Sequence, residues 1–376
     1  MKIISYEYRQ SGNTEWKFSR VELRNMNLLV GDSGTGKTVF LNTIFNLAGI
    51  AFGSEPLLYG HWKIKFKQDE SVYNWEIEAE QFSNGKTLLM MEHLCQETEN
   101  GKIPIVERNE DWFKFSGKEM PKLSRENTSI FLLREEEKIK PLHLGFGNIS
   151  RRNFSENALN ENIRHEAVPS DFSDEQMDTL LKLRNMNAGI NLKLYFLSRE
   201  KPEIFRILCN YYTEVFPFIE KIEIKDLKEL EPHLKATGMF IPVFCIKERY
   251  VDRWIPADQL SSGMKKVLLV LTDVCIFPEE GICLIDEYEN SLGVNAINFF
   301  PSFLADIETD KQFIITSHHP YIINKIPVEN WFVFHRKGSE IKIRYGRENV
   351  ERFGRSKQQR FIQLINDPFY NEGVEQ

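Results

Sequence analysis

The sequence predicts an α/β fold in which a parallel core is joined to an antiparallel β lobe and a helical insert. Three observations carry this reading. The short apolar run Asn27-Leu28-Leu29-Val30 leads into a glycine-rich turn and then a helical pattern. Residues 61–134 return to strand patterns broken by Asn-Gly and Ser-Gly turns. The final third alternates helix and strand, the signature of a parallel sheet with crossover helices.

The elements follow in order. Ile4, Tyr6 and Tyr8, then Trp16, Phe18 and Val21, recur with period two and predict opening strands. After the glycine turn, Val39, Phe40, Ile44, Phe45 and Leu47 line one helical face, and the helix is expected to end near Gly49. WKIKFKQ, VYNWEIEAE, KTLLMME, IPIVE, WFKF and SIFLLR read as strands of the antiparallel lobe. Residues 145–172 have little periodicity and read as a loop or lobe junction. Asp174–Met186 and Pro202–Val215 predict helices, and strand patterns resume over 221–250. Then come a helix (264–274), a strand (282–285), a helix (296–307) and a strand (313–316). The expected segments are 1–144, the first part of the core with its β lobe; 145–250, the insert; 251–335, the second part of the core; and 336–376, a basic tail.

Composition bounds the function. The 376 residues carry 48 Lys and Arg against 55 Asp and Glu, a net charge of −7, so the chain as a whole is not polybasic. With 41% hydrophobic and 27% charged residues it is an ordinary globular protein. The longest apolar run, Val267–Leu271, is far short of the roughly 18 residues a membrane span needs, and the start MKIISYEYRQ lacks the apolar core of a signal peptide. A cytoplasmic protein with no membrane partner is expected. Five scattered cysteines without a CxxC pair predict free thiols rather than a disulfide framework or a zinc site.

Residues 31–38, GDSGTGKT, fit the pattern G-x-x-x-x-G-K-[ST] between a strand and a helix. Gly31, Asp32, Ser33, Gly34, Thr35 and Gly36 would wrap phosphate oxygens with backbone N–H groups, and the helix N-terminus adds a favourable dipole. Lys37 would reach the β- and γ-phosphates and Thr38 would ligate Mg²⁺. The second anchor is ICLIDE, residues 282–287, an apolar strand ending in two carboxylates in the Walker B arrangement. Asp286 would join the Mg²⁺ shell and Glu287 would orient or deprotonate an attacking water.

LSSGMKK at 260–266, one helix and one strand before Asp286, resembles the signature motif of ATP-binding-cassette (ABC) ATPases, with Ser262 and Met264 replacing the commoner Gly and Gln. Tyr288-Glu289-Asn290-Ser291-Leu292 is similar to the family's D-loop, with Tyr288 where Pro is common and Gly293 where His is frequent. His318, after the strand Phe313–Ser317, stands at the position of the switch histidine. The resemblance implies an ABC-type P-loop core that binds ATP and Mg²⁺. It implies a homodimer or higher homo-oligomer in which Ser261, Ser262 and Gly263 complete the nucleotide site of a second protomer. It also gives His318 a role at the γ-phosphate. No glutamine of the Q-loop is assigned among Gln68, Gln81 and Gln96.

The interval between Lys37 and Leu260 exceeds that of a transporter cassette, and sustained heptads are missing. The TSHHPYIIN and DEYENSL segments most resemble RecF-like and OLD-like (AAA_15/AAA_21-type) ATPases, including the ATPase subunits of two-gene antiviral systems. Too little chain follows His319 for a Toprim nuclease domain, so the resemblance implies a separate effector, a nuclease or toxin. A RecF-like DNA-repair ATPase is the alternative, and a transport-related cassette a more distant one. Between Arg336 and Arg360 nine basic residues face three acidic ones, a candidate DNA contact or a solvated charged face.

Overall fold

The computed structural model describes residues 1–10, 16–152, 162–168, 180–231, 239–277, 280–287, 289, 311–353 and 359–375. The chain forms two compact units: Met1–Arg152 with Glu279–Tyr288 and Ile307–Gln376, and Asn153–Pro278 with Glu289–Asp306.

The first unit opens with β1 (Lys2–Arg9), β2 (Lys17–Glu22), β3 (Met26–Val30) and α1 (Lys37–Phe52). A meander follows: β4 (Gly60–Gln68), β5 (Ser71–Gln81), β6 (Thr87–Thr98), β7 (Gly101–Asn109), β8 (Phe113–Phe115) and β9 (Lys118–Met120). Next come α2 (Ser129–Leu132), α3 (Lys140–Gly147) and β10 (Ile149–Arg152). The second unit holds α4 (Leu180–Asn185), α5 (Ile190–Glu200), α6 (Pro202–Val215), β11 (Ile219–Asp226), α7 (Leu227–Leu230), β12 (Pro242–Glu248), β13 (Ile255–Pro256) and α8 (Ser262–Ile276). The chain re-enters the first unit as β14 (Ile282–Ile285), β15 (Gln312–Thr316), α9 (Pro320–Lys325), β16 (Trp331–Lys337) and β17 (Glu340–Tyr345). It closes with α10 (Val350–Phe353), α11 (Arg360–Ile365), α12 (Pro368–Asn371) and β18 (Val374–Glu375).

All strands of the first unit join one sheet, in the order β10-β14-β15-β3-β16-β17-β2-β1-β4-β5-β6-β7-β8-β9, with β18 paired to β16. From β10 to β16 the strands run parallel; from β2 to β9 every pair is antiparallel. β17 links the halves, antiparallel to β16 and parallel to β2 through Glu340–Lys17 and Ile341–Phe18. The long interval between β14 and β3 in sequence is therefore closed in space by strand order, not by local turns.

The core lies where α1 covers this sheet. Phe40, fully buried, meets Tyr6, Phe18 and Phe334 edge to face at 5.6, 5.3 and 5.7 Å. Such pairs add specific geometry to the large apolar area each ring buries. Buried Gln312 ties β1 to the parallel half: its Oε1 accepts from the Ile3 N–H at 2.8 Å and its Nε2 donates to the carbonyls of Ile3 and Arg24, both 2.8 Å. In the second unit, α6 buries Leu208, Tyr212 and Val215, and Tyr212 meets Phe244 of β12 at 5.8 Å with the rings nearly perpendicular. Burial pushes the thiols of Cys209 and Cys245 up to about 12, so both stay protonated at neutral pH.

Several local expectations are corrected. α1 runs through Gly49 to a cap at Gly53, whose φ of +86° and Phe131 ring only 2.2 Å from a would-be Cβ demand glycine there instead. SIFLLR begins a short helix, α2, not a strand: a four-residue apolar run has no decisive period, and here the Ser129 N–H is taken by buried Glu92. Residues 145–172 are not only loop, since they include the end of α3 and the edge strand β10. The expected helix at 296–307, residues 174–179 of the one expected at 174–186, and the D-loop residues Tyr288, Asn290, Ser291 and Leu292 with Gly293 lie outside the described residues, while 180–185 form α4.

The basic segment 336–360 is largely engaged within the fold. Arg344 and Arg352 reach the buried Asp367 carboxylate at 3.2 and 2.9 Å, and Arg347 reaches Glu22 at 3.2 Å. Arg360 donates to the Asn324 carbonyl at 3.2 Å, while Arg355 and Lys357 lie outside the described residues. No helix among the described residues is long and apolar enough to cross a membrane.

Candidate functional site

The carboxyl ends of β3, β14, β15 and β10 converge on one edge of the sheet, the edge at which open parallel sheets place ligands. The glycine loop leaves β3 there. Gly34 and Gly36 take φ of +82° and +93°, open to glycine with little strain, and a Cβ on Gly36 would stand 2.1 Å from Ile341 Cδ1. Gly36 thus serves both as the left-handed cap of α1 and as the point where β17 presses on the loop.

Lys37 is buried at 6% exposure. Its ammonium donates to the carbonyls of Gly31 and Asp32, both at 2.8 Å, and to Thr35 Oγ1 at 3.4 Å. The charge is held inside the loop that the backbone N–H groups and the α1 dipole make favourable for an anion. Thr38 Oγ1, one residue on, donates to Asp286 Oδ1 at 3.2 Å across a sequence separation of 248 residues.

Asp286, at the end of β14, is 8% exposed, and its carboxylate is shared. Oδ1 also accepts the Thr316 hydroxyl at 2.8 Å; Oδ2 accepts Arg151 Nη2 at 3.2 Å. Thr316 in turn accepts the Glu287 backbone N–H at 2.7 Å. That bond holds Glu287 at φ +47°, a left-handed conformation unusual for a non-glycine residue, with its side chain exposed to the cavity.

A cavity of about 300 Å³ collects these groups. Its lining includes Gly34, Gly36, Lys37 and Thr38 from the loop, Asp286 and Glu287, Thr316 at the end of β15 and His318 just beyond it. The adjacent His319 does a different job: its Nδ1 accepts the Tyr321 N–H at 3.3 Å and caps α9. Trp16 and Arg336 complete the lining, with the guanidinium 5.3 Å from the Trp16 ring centroid. An aromatic face backed by a cation suits a planar, electron-rich ring.

Sequence reasoning missed Trp16, Thr316, Arg336 and Arg151. Thr316, Arg336 and Arg151 sit on strands, and Trp16 just before one, that only sheet order brings to the loop, so no local motif marks them. Gln68, Gln81 and Gln96 are absent from this cavity's lining. Ser261, Ser262 and Gly263 stand in the second unit, where the Ser261 hydroxyl accepts the Met264 N–H at 3.3 Å and caps α8. Tyr212 donates its hydroxyl to the Met264 carbonyl at 3.3 Å, fixing the start of that helix.

The residues fit Mg²⁺. The donors are hard oxygens, from Thr38 and Asp286, and among the described residues no three His, Cys, Asp or Glu gather that could hold a metal by themselves. Few protein ligands with phosphate oxygens completing the shell is how Mg²⁺ is usually held.

Comparison with known proteins gives the fold a context. Residues 110–324, more than half of the chain, match the AAA_21 family, described as "AAA domain, putative AbiEii toxin, Type IV TA system". No curated protein matches. Among solved structures, an Smc head bound to the C-terminal winged-helix domain of ScpA superposes with a TM-score of 0.53 at 13% identity, over 92% of this chain and 98% of that one. The Smc head with an extended coiled coil bound to the C-terminal domain of ScpA, derived from Pyrococcus furiosus, gives 0.50 at 12% identity, over 93% and 98%. At such identities the likeness is one of fold: that of an Smc head domain.

Proposed function

Starting from the chain's membership of the AAA_21 family, we propose that it is a Mg²⁺-dependent ATPase whose nucleotide cycle governs self-assembly and, through it, a separate effector. One observation carries the reading: three segments far apart in sequence deliver Lys37, Thr38, Asp286, Glu287 and His318 to a single cavity.

The roles follow from the geometry. The loop 31–38 cradles the polyphosphate, and Lys37 exchanges its carbonyl partners for β- and γ-phosphate oxygens. Trp16 and Arg336 receive the base. When bound beside Thr38 and Asp286, Mg²⁺ supplies charge neutralisation of the phosphate oxygens. Glu287, exposed and fixed by the Thr316 contact, accepts a proton from the attacking water. His318 meets the γ-phosphate from beyond the carboxyl end of the neighbouring β15.

Assembly is the natural output of such a site. The resemblance of residues 260–264 to the ABC signature supports a homodimer in which Ser261, Ser262 and Gly263 of one protomer close over nucleotide held by the other. The Smc heads of like fold were solved with a ScpA domain bound, and the family description names a toxin. The first supports a partner protein held by the head; that this partner is a separate nuclease or toxin in antiviral defence is our proposal, drawn from the resemblance of the TSHHPYIIN and DEYENSL segments.

Calorimetry tests the foundation. Lys37→Ala should lose ATP binding, because the remaining loop offers the phosphates no side-chain cation. Wild-type affinity in that variant would refute the site.

A further inference from the structure

The strand β10 lies parallel to β14 at the edge of the sheet, with Arg151 paired to Leu284 and Arg152 to Ile285. Its carboxyl end therefore reaches the same place as the Asp286 carboxylate. Arg151 puts one guanidinium nitrogen 3.2 Å from Asp286 Oδ2. Asp286 Oδ1 already accepts two hydroxyls, so Oδ2 is the oxygen through which this carboxylate meets a further cation.

The pair is close but poorly made. Dedicated Arg–carboxylate bridges are commonly bidentate and short, at about 2.7–2.9 Å, whereas Arg151 offers a single long bond. Its Nε is buried with no hydrogen-bond partner, a donor that the present pose leaves unsatisfied. Arg151 is also about a quarter exposed, at 23%, while Asp286 is buried, so the guanidinium has room to leave and the carboxylate does not.

We propose that Arg151 is a positioning residue that stands in for the divalent cation on Asp286 and is displaced when the metal arrives with nucleotide. One singly charged and one doubly charged cation then compete for one carboxylate oxygen. The metal, doubly charged and compact, wins once phosphates complete its shell; Arg151 wins without them. The exchange keeps a buried anion neutralised in both states, which matters because an unpaired buried charge is costly. It also ties metal loading to β10, from which the chain runs directly into residue 153 and the following unit. The inference rests on the nucleotide-site reading above and deepens it.

The test is Mn²⁺ binding followed by electron paramagnetic resonance of the free ion, with ADP present, on the full chain. Arg151→Met should tighten Mn²⁺ by about five- to tenfold, the size expected on removing one partly exposed competing cation. Arg151→Lys, which keeps the charge, should stay near wild type, and Arg151→Gln, which keeps polarity for folding, should follow Met. In an Asp286→Asn background Arg151→Met should change Mn²⁺ affinity little, because the contested oxygen is no longer anionic. Unchanged or weaker Mn²⁺ binding in folded Arg151→Met and Arg151→Gln overturns the proposal alone. Wild-type protein that binds neither ADP nor Mn²⁺ overturns the site reading, and the proposal with it.

Discussion

At the scale of residues, Thr316 joins the two acidic residues of the site. Its hydroxyl donates to Asp286 Oδ1 at 2.8 Å and accepts from the Glu287 N–H at 2.7 Å, so one buried group aligns both the proposed metal ligand and the proposed base. Thr316→Val preserves shape and removes both bonds. ATP affinity should stay within about twofold, while kcat falls by about ten- to a hundredfold, the usual loss when preorganised polar groups are removed. Single-turnover hydrolysis measures it; an unchanged rate would show that Glu287 is aligned by other contacts. Legibility divides along the same line. Lys37, Thr38, Asp286 and Glu287 were readable because each stands in a contiguous motif whose chemistry requires that spacing. Trp16, Arg151, Thr316 and Arg336 were not, because their roles arise from strand neighbours dozens to hundreds of residues away. The sequence did select His318 over His319, and the α9 cap formed by His319 is consistent with that choice.

At the scale of elements, the lobe is pinned by a buried ion pair. Glu92 of β6, fully buried, accepts Arg108 Nε of β7 at 2.7 Å, Trp75 Nε1 of β5 at 3.0 Å, and the N–H and hydroxyl of Ser129 at the start of α2. Arg108 spends its other nitrogens on the carbonyls of Ser124 and Asn127. A network with every arm satisfied fixes three strands and a helix in one register. Glu92→Gln leaves the guanidinium without its counter-charge and should destabilise the protein by about 3–5 kcal/mol in urea unfolding. Nucleotide binding by the folded fraction should persist, and a cost below about 1 kcal/mol would mean that the pair contributes little. Long period-two strands such as β4 and β5 were legible, but α2 and β10 were not. Each is four residues long, and at that length hydrophobic period does not separate helix, strand and loop.

At the scale of the whole molecule, the α/β core, the antiparallel lobe and the insert were all legible, because long patterned segments announce each of them. The continuity of the sheet was not, since β17 and β2 pair across the entire chain. Glu287→Gln is the variant that reports at this scale. It should bind ATP, slow hydrolysis by at least about a hundredfold and accumulate a dimer or larger species with ATP and Mg²⁺ in light scattering. Wild-type turnover, or a strictly monomeric mass, would contradict nucleotide-driven assembly.

The pairing of β17 with β2 has a mechanical meaning. Along that line the ladder pairs Glu340–Lys17 and Ile341–Phe18, with the Lys17 N–H on the Ser339 carbonyl, the Glu22 N–H on the Tyr345 hydroxyl and the Arg347–Glu22 ion pair beside it, whereas β16 and β17 are paired from Phe332–Tyr345 to Lys337–Glu340. Load that draws the lobe away from the parallel half is shared between this short seam, the Gln312 bonds to Ile3 and Arg24, and the rings packed on Phe40. Ile341 also abuts Gly36, and Trp16 precedes the β2 side of the same seam. Strain carried along this short seam therefore arrives beside Gly36 and Trp16, at the wall of the cavity.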